Sequence, residues 1–173
     1  GYASGDYVIC MGDDDKLLPN CLEEYAKLIN KYKGVGLLHG WTEIINEKSE
    51  ITKLTTHRCE FESSLSLMWH RSHAYEHQFI GDFCFERDWL MQNGGFFTLP
   101  YAWGSDDISA FIAASKNGVA NTQIPVFQYR VNSQTISNTG NADCKIKAIA
   151  LEYNWKNEVL TRKSDSNTDE LYR

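Results

Sequence analysis

Three adjacent carboxylates, Asp13, Asp14 and Asp15, stand just after the apolar run from Tyr7 to Met11. Carboxylates placed so close repel one another, and a hard divalent cation, Mg²⁺ or Mn²⁺, relieves that repulsion while keeping oxygen ligands. Such a cation can in turn hold a diphosphate. The triplet also suits a solvated turn, because aspartate side chains bond their own backbone. A second acidic pair, Asp106 and Asp107, follows Ser105 at the start of a helical pattern, where acids favour the helix dipole and serine makes a cap. His70, His73 and His77 recur at helical intervals, but three ligands from one helix rarely converge on a tetrahedral zinc ion. Arg87 and Arg130 suit either a phosphate or a structural ion pair.

These residues need a frame to position them. Tyr7 to Met11 is rich in strand formers and reads as a buried central strand, which puts the aspartates at the carboxyl end of a sheet, where open α/β folds bind ligands. From Pro19 to Lys33, Leu22, Tyr25, Ala26, Ile29 and Tyr32 share one helix face, and Gly34 supplies the stop. Val35 to His39 predicts a strand, and Thr42 to Ile45 with Ile51 to Leu54 predicts a hairpin around a polar turn, Asn46 to Glu50. Phe61 to His70 has helical character, Gly81 to Arg87 reads as a strand, and Arg87 to Asn93 as a short helix stopped by Gly94 and Gly95.

Farther along, Ser105 is expected to cap a helix from Asp106 to Asn117. Val119 to Val131 is extended, and Pro125 marks an edge or a bulge in it. A final helix from Ala142 to Arg162 is predicted to bury Ile146, Ile149, Ala150, Tyr153 and Leu160, and a polar tail, Ser164 to Arg173, is expected to fray. The alternation of strands and helices predicts a single α/β domain over residues 1–163, its mixed sheet flanked by helices.

The 173 residues suffice for one hydrophobic core. With 17 basic and 23 acidic residues, a net charge of −6 leaves no electrostatic footprint for nucleic acid or anionic lipid, so an anionic ligand needs a local cation. No apolar run approaches the roughly 20 residues that cross a bilayer. The five cysteines are odd in number and contain no CxxC pair, which argues against a disulfide framework and for a reducing, cytoplasmic setting.

Read in order, the motifs form a pattern. Ser4 Gly5 Asp6 Tyr7 Val8 Ile9 Cys10 Met11 Gly12 Asp13 Asp14 Asp15, then Leu18 Pro19 and Leu22 Glu23, resemble the "A-x-G-[DE]-Y-[IV] … D-x-D-D … P … L-E" segment of family 2 glycosyltransferases with the GT-A fold. Arg87, Leu90 and Gly94 Gly95 Phe96 are similar to the family's "R … L … G-G-F", and Ser105 Asp106 Asp107 falls where the family has its [ED]-D pair. Tyr129 Arg130 Val131, with Ser133 and Ser137, resembles "Y-R-x-H … S-x-S". The resemblance implies metal-dependent transfer of a sugar from a nucleotide-diphospho-sugar donor to a saccharide or lipid-linked acceptor, as in cell-surface polysaccharide biosynthesis, and a cytoplasmic protein that can be peripheral at the membrane. It implies that Asp13 and Asp15 hold Mn²⁺ or Mg²⁺, that Asp14 faces the ribose or is itself a ligand, and that Arg130 faces the donor. Asp107, with Asp106 as the nearby alternative, takes the place of the base of the inverting reaction. Tyr101 and Trp103 could stack on an acceptor sugar, or belong to the core.

The chain departs from the family pattern in two ways. The strand, loop and helix that hold the nucleotide base would lie upstream of Gly1, so the sequence reads as the carboxyl-terminal two-thirds of a GT-A domain. Asn132 replaces the family histidine and no Q-x-x-R-W motif occurs, which argues against processive synthesis. Two other readings follow. An incomplete GT-A remnant could act as a binding module, and a haloacid dehalogenase-like phosphatase would also place Asp-x-Asp after a buried strand, though it calls for Thr or Val where Lys16 and Leu17 stand. An incomplete sheet leaves a strand edge open, so a homo-oligomer is expected.

Overall fold

The computed structural model describes residues 3–132 and 141–162. The chain forms a mixed sheet covered by helices on both faces. Its strands are β1 (Tyr7–Ile9), β2 (Lys16–Leu17), β3 (Leu37–Ile45), β4 (Ile51–Leu54), β5 (Phe61–Glu62), β6 (Phe83–Glu86) and β7 (Val119–Arg130). The order across the sheet is β1-β6-β3-β7-β2, with β4 on β3 and β5 on β7. The pair β3 and β7 is parallel, and the other pairs are antiparallel. The helices are α1 (Cys21–Lys31), α2 (Ser64–Ser72), α3 (Arg87–Gln92), α4 (Ser105–Ala114) and α5 (Ala142–Arg162).

Strand alternation divides the core. Leu37, Phe83, Phe85 and Val119 point to one face and pack with Leu67, Met68, Leu90, Phe111 and Ala114 of α2, α3 and α4. Their neighbours Leu38, Cys84 and Ala120 point to the other face and meet Cys21, Tyr25 and Leu28 of α1. Because β3 is covered on both sides, Leu37, Leu38 and His39 are all buried. Gly40 is a point of close approach: a Cβ there would lie 2.7 Å from the Tyr25 hydroxyl and 2.6 Å from Val126.

Several predicted elements take their expected form. The helix expected after Pro19 is α1, with Glu23 and Glu24 in its first turn and Lys31 in its last. The hairpin pairs Glu43 with Leu54 and Ile44 with Lys53, and Asn46 Oδ1 closes its turn by accepting from the backbone N–H of Lys48 and Glu50. Pro125 marks a bulge rather than an edge: it faces Trp41 where the β3–β7 register shifts, and Thr122 Oγ1 takes the Trp41 N–H instead.

Other expectations are corrected. The run from Tyr7 is not a central strand; β1 ends the sheet order, pairs with β6 and is half-buried. Its apolar side chains meet core on one face, and an apolar run does not tell a central strand from an end one. Val35 to His39 and Thr42 to Ile45 fall mostly in one long strand, β3. Phe61–Glu62 pairs with Val119 and Ala120 as a strand, and the helix behind it starts at Ser64, capped by Ser63.

Ser105 is the first residue of α4 rather than its cap, which is the left-handed Gly104. Its hydroxyl accepts the Leu99 N–H instead. Finally, α5 has the predicted bounds but a different buried face: Ala148 is fully buried, Trp155, Val159 and Leu160 pack on the core, and Ile146, Ile149, Ala150 and Tyr153 are exposed. The tail at 164–173 lies outside the described residues. Among the described residues no helix is long and apolar enough to cross a membrane.

Candidate active site

The acidic turn leaves β1 and enters β2, whose Lys16 and Leu17 pair with Gln128 and Phe127 of β7. This pairing brings the turn against Arg130 at the end of β7. The Arg130 backbone N–H donates to Asp15 Oδ1 at 2.9 Å, and its Nε donates to the Asp14 carbonyl at 2.9 Å. The same guanidinium donates through Nη1 to the Asn46 carbonyl at 2.8 Å and through Nη2 to Ser49 Oγ at 3.1 Å. Arg130 therefore stitches the acidic turn to the β3–β4 turn. Asn132 Nδ2 donates to Asp14 Oδ2 at 2.8 Å. Asp13 is exposed. Burial raises the Asp15 pKa, and the neighbouring charges of Asp14 and Asp82 add to the shift against the Arg130 N–H.

The second acidic pair lies in the first turn of α4. Asp107 is buried and fully engaged, accepting from Arg71 Nε at 2.9 and 3.1 Å and from Gln78 Nε2 at 2.6 Å. Asp106 differs: burial, reinforced by the Asp107 charge, pushes its pKa up to about 7. Tyr129, on β7 next to Arg130, stacks on Phe79 with ring centroids 3.7 Å apart. Burial raises its pKa, and the carboxylates of Asp15, Asp14 and Asp106 raise it further. The Tyr129 hydroxyl thus feels both the acidic turn and the start of α4.

The two aromatic candidates separate. Tyr101 is exposed, in a loop where Tyr101 and Ala102 hold φ values of 58° and 54°, a left-handed conformation unusual for non-glycine residues. Trp103 packs against Leu99, Ile108 and Ala148, and Lys145 Nζ lies 4.6 Å above its ring. Gly104 is required at the end of this loop, since at φ 75° a Cβ would come within 2.5 Å of Glu152 Oε2. Arg87 serves structure, donating to the Ala3 carbonyl and to Asp88. Ser133 and Ser137 lie outside the described residues.

Several polar residues at or beneath this region carry no sequence motif. Asp82 is buried, receives the Phe79 N–H and the Thr42 hydroxyl, and lies 3.6 Å from His39 Nε2. Burial lowers the His39 pKa, with the Arg58 charge acting in the same direction. Arg71 and Gln78 could have been found only through the partner they share, Asp107, because neither position has a periodicity or spacing that singles it out.

The mixed α/β architecture, a sheet flanked by helices, is shared with solved structures. Among solved structures, the chain is similar to TarS of S. aureus. Residues 1–349 of TarS in complex with UDP-GlcNAc match with a TM-score of 0.59 at 12% identity, over 81% of this chain and 39% of that one. A second structure of S. aureus TarS matches with a TM-score of 0.53 at 13% identity, over 96% of this chain and 30% of that one. The chain thus spans well under half the length of these neighbours. No protein-family model matches it, and no curated protein does.

Proposed function

We propose that the chain belongs to a metal-dependent, inverting glycosyltransferase of the family 2 type, acting on a nucleotide-diphospho-sugar donor and a hydroxyl acceptor. The observation that carries this reading is the acidic turn after β1, held against the end of β7 by the Arg130 N–H on Asp15 and the Asn132 amide on Asp14. The likeness to a structure that holds UDP-GlcNAc supports the donor class.

The donor set suits a hard cation, because Asp13 is exposed and Asp15 carries an unfavourable charge beside Asp14. Mn²⁺ or Mg²⁺ held by Asp13 and Asp15 would supply positive charge to the departing diphosphate. Arg130 acts by position: its side chain is spent on the carbonyls and hydroxyl of two turns, so it holds the donor carboxylates in place rather than meeting the phosphate.

Of the two acids in α4, Asp106 suits the base. A pKa of about 7 lets it accept the acceptor's proton near neutral pH, whereas the Asp107 oxygens already accept from Arg71 and Gln78. Asp107 then keeps Arg71 beside Asp106. Tyr101 is available to stack on an acceptor ring from the loop before α4.

Calorimetric titration of UDP and GDP, each with Mn²⁺, into the chain and into an Asp13→Ala/Asp15→Ala variant tests this reading. Metal-dependent binding in the first and none in the second is expected. Equal binding by both would remove the acidic turn from the donor site, and no binding at millimolar nucleotide would favour a GT-A remnant that does not bind donor by itself.

A further inference from the structure

A cluster unrelated to the acidic turn joins β5, α2 and the loop behind α2. Glu62 Oε2, His70 Nδ1 and Glu76 Oε1 all lie within 4.8 Å of one another. His70 Nδ1 is 3.4 Å from Glu62 Oε2 and 3.5 Å from Glu76 Oε1. Both separations are long for hydrogen bonds, which centre near 2.9 Å. They match another geometry: ligand atoms about 2.0–2.2 Å from a common ion along tetrahedral directions sit about 3.3–3.6 Å apart.

The surroundings complete such a site. Ser66 Oγ donates to Glu62 Oε2 at 3.0 Å, and Asn121 Nδ2 donates to Glu62 Oε1 at 3.3 Å, so this carboxylate is oriented by two partners. Arg58 Nη1 stands 3.4 Å from the other oxygen of Glu76, Oε2, while Arg58 Nη2 donates to the His77 carbonyl. Secondary contacts of this kind orient and tune metal ligands. Glu76 is 6% exposed, and its Oε2 has no hydrogen-bond partner among the described residues, nor do Nε and Nη1 of Arg58.

We propose that Glu62, His70 and Glu76 bind a divalent transition-metal ion of the Zn²⁺ type, with the fourth position open to water. This site shares no residue with the acidic turn. It ties β5 and α2 to the segment that continues through Gln78, the partner of Asp107, and on to Phe79, the partner of Tyr129. Its role is to hold that segment in place beneath the candidate active site.

The test uses the full chain in the Asp13→Ala/Asp15→Ala background, which leaves the acidic turn a single carboxylate, Asp14. The protein is stripped with EDTA, dialysed against Zn²⁺ or Co²⁺, and measured by elemental analysis and by the visible absorption of bound Co²⁺. About one equivalent of metal is expected, with a rise in melting temperature of about 5–10 °C at a hundredfold excess over Kd. His70→Gln, at a half-buried position, and Glu76→Gln should each weaken binding at least about tenfold and change the Co²⁺ spectrum. Circular dichroism identifies any variant that does not fold, and the other variant then decides. Less than a tenth of an equivalent in the parent protein, or a Co²⁺ spectrum that a folded His70→Gln or Glu76→Gln variant leaves unchanged, overturns the proposal.

Discussion

Arg71 Nε lies 2.9 Å from Asp107 Oδ1 and 3.1 Å from Oδ2, so a single N–H of a guanidinium in α2 is shared by both oxygens of an acid in the first turn of α4. The contact fixes two helices to each other and leaves the adjacent Asp106 as the acid whose protonation is poised. Arg71→Ala strips the charge partner from a buried carboxylate and is expected to cost roughly 3 kcal/mol in urea unfolding. Arg71→Lys should recover only part of this, since an ammonium is more strongly hydrated than a guanidinium and is costlier to bring against a buried carboxylate.

Asp106 should make stability depend on pH in an unusual direction. Its pKa is raised in the fold from 3.8 to about 7, so between those values the native state holds more protons than the unfolded chain. Stability from this group is therefore greatest below pH 4, falls as pH rises to about 7, and is level above that. Asp106→Asn should remove this slope and raise stability at pH 8 by roughly 2–4 kcal/mol. Melting curves of both proteins from pH 4 to pH 8 measure it, and parallel curves would show that Asp106 titrates normally.

Arg130→Ala removes the bonds between the acidic turn and the Asn46–Ser49 turn. A loss of roughly 2 kcal/mol is expected, because several carbonyls lose charged donors, together with at least about tenfold weaker Mn²⁺-dependent nucleotide binding. If instead binding fell and stability held, Arg130 would be acting on the phosphate directly.

The face of α5 can be tested separately. Ile146→Ser and Tyr153→Ser replace exposed side chains and should change stability by no more than about 0.5 kcal/mol. Trp155→Ala removes a ring that packs against Phe97 and Phe111 and should cost roughly 2–3 kcal/mol. The reverse ranking would put the other face against the core.

Local signals carried much of this fold. Helix α1 was legible because spacing, charge order and a terminal glycine agree, and the β3–β4 hairpin because Asn46 builds its own turn. Partner-dependent features were not legible. Ser105 looks like a cap until Leu99 takes its hydroxyl, and α5 carries apolar residues on more than one face, so only the seat of Ala148 beside Leu99 and Ile108 selects the inner one.

The site divides the same way. The aspartates at 13–15 and 106–107 stand out as runs of charge, whereas Asp82, Arg58, Gln78 and Glu76 are single polar residues within unremarkable segments. Their burial and their pairing arise from contacts between residues distant in the chain, such as Thr42 with Asp82.

The left-handed pair Tyr101 and Ala102 has a consequence of its own. Each non-glycine residue in that region is held against a preference of roughly 1–2 kcal/mol, so the loop before α4 is kept taut by its surroundings. A loop under such tension moves most readily toward relaxation. Losing the bond from the Ala102 N–H to the Leu99 carbonyl would free this pair to relax out of the left-handed region and carry the exposed Tyr101 ring with it.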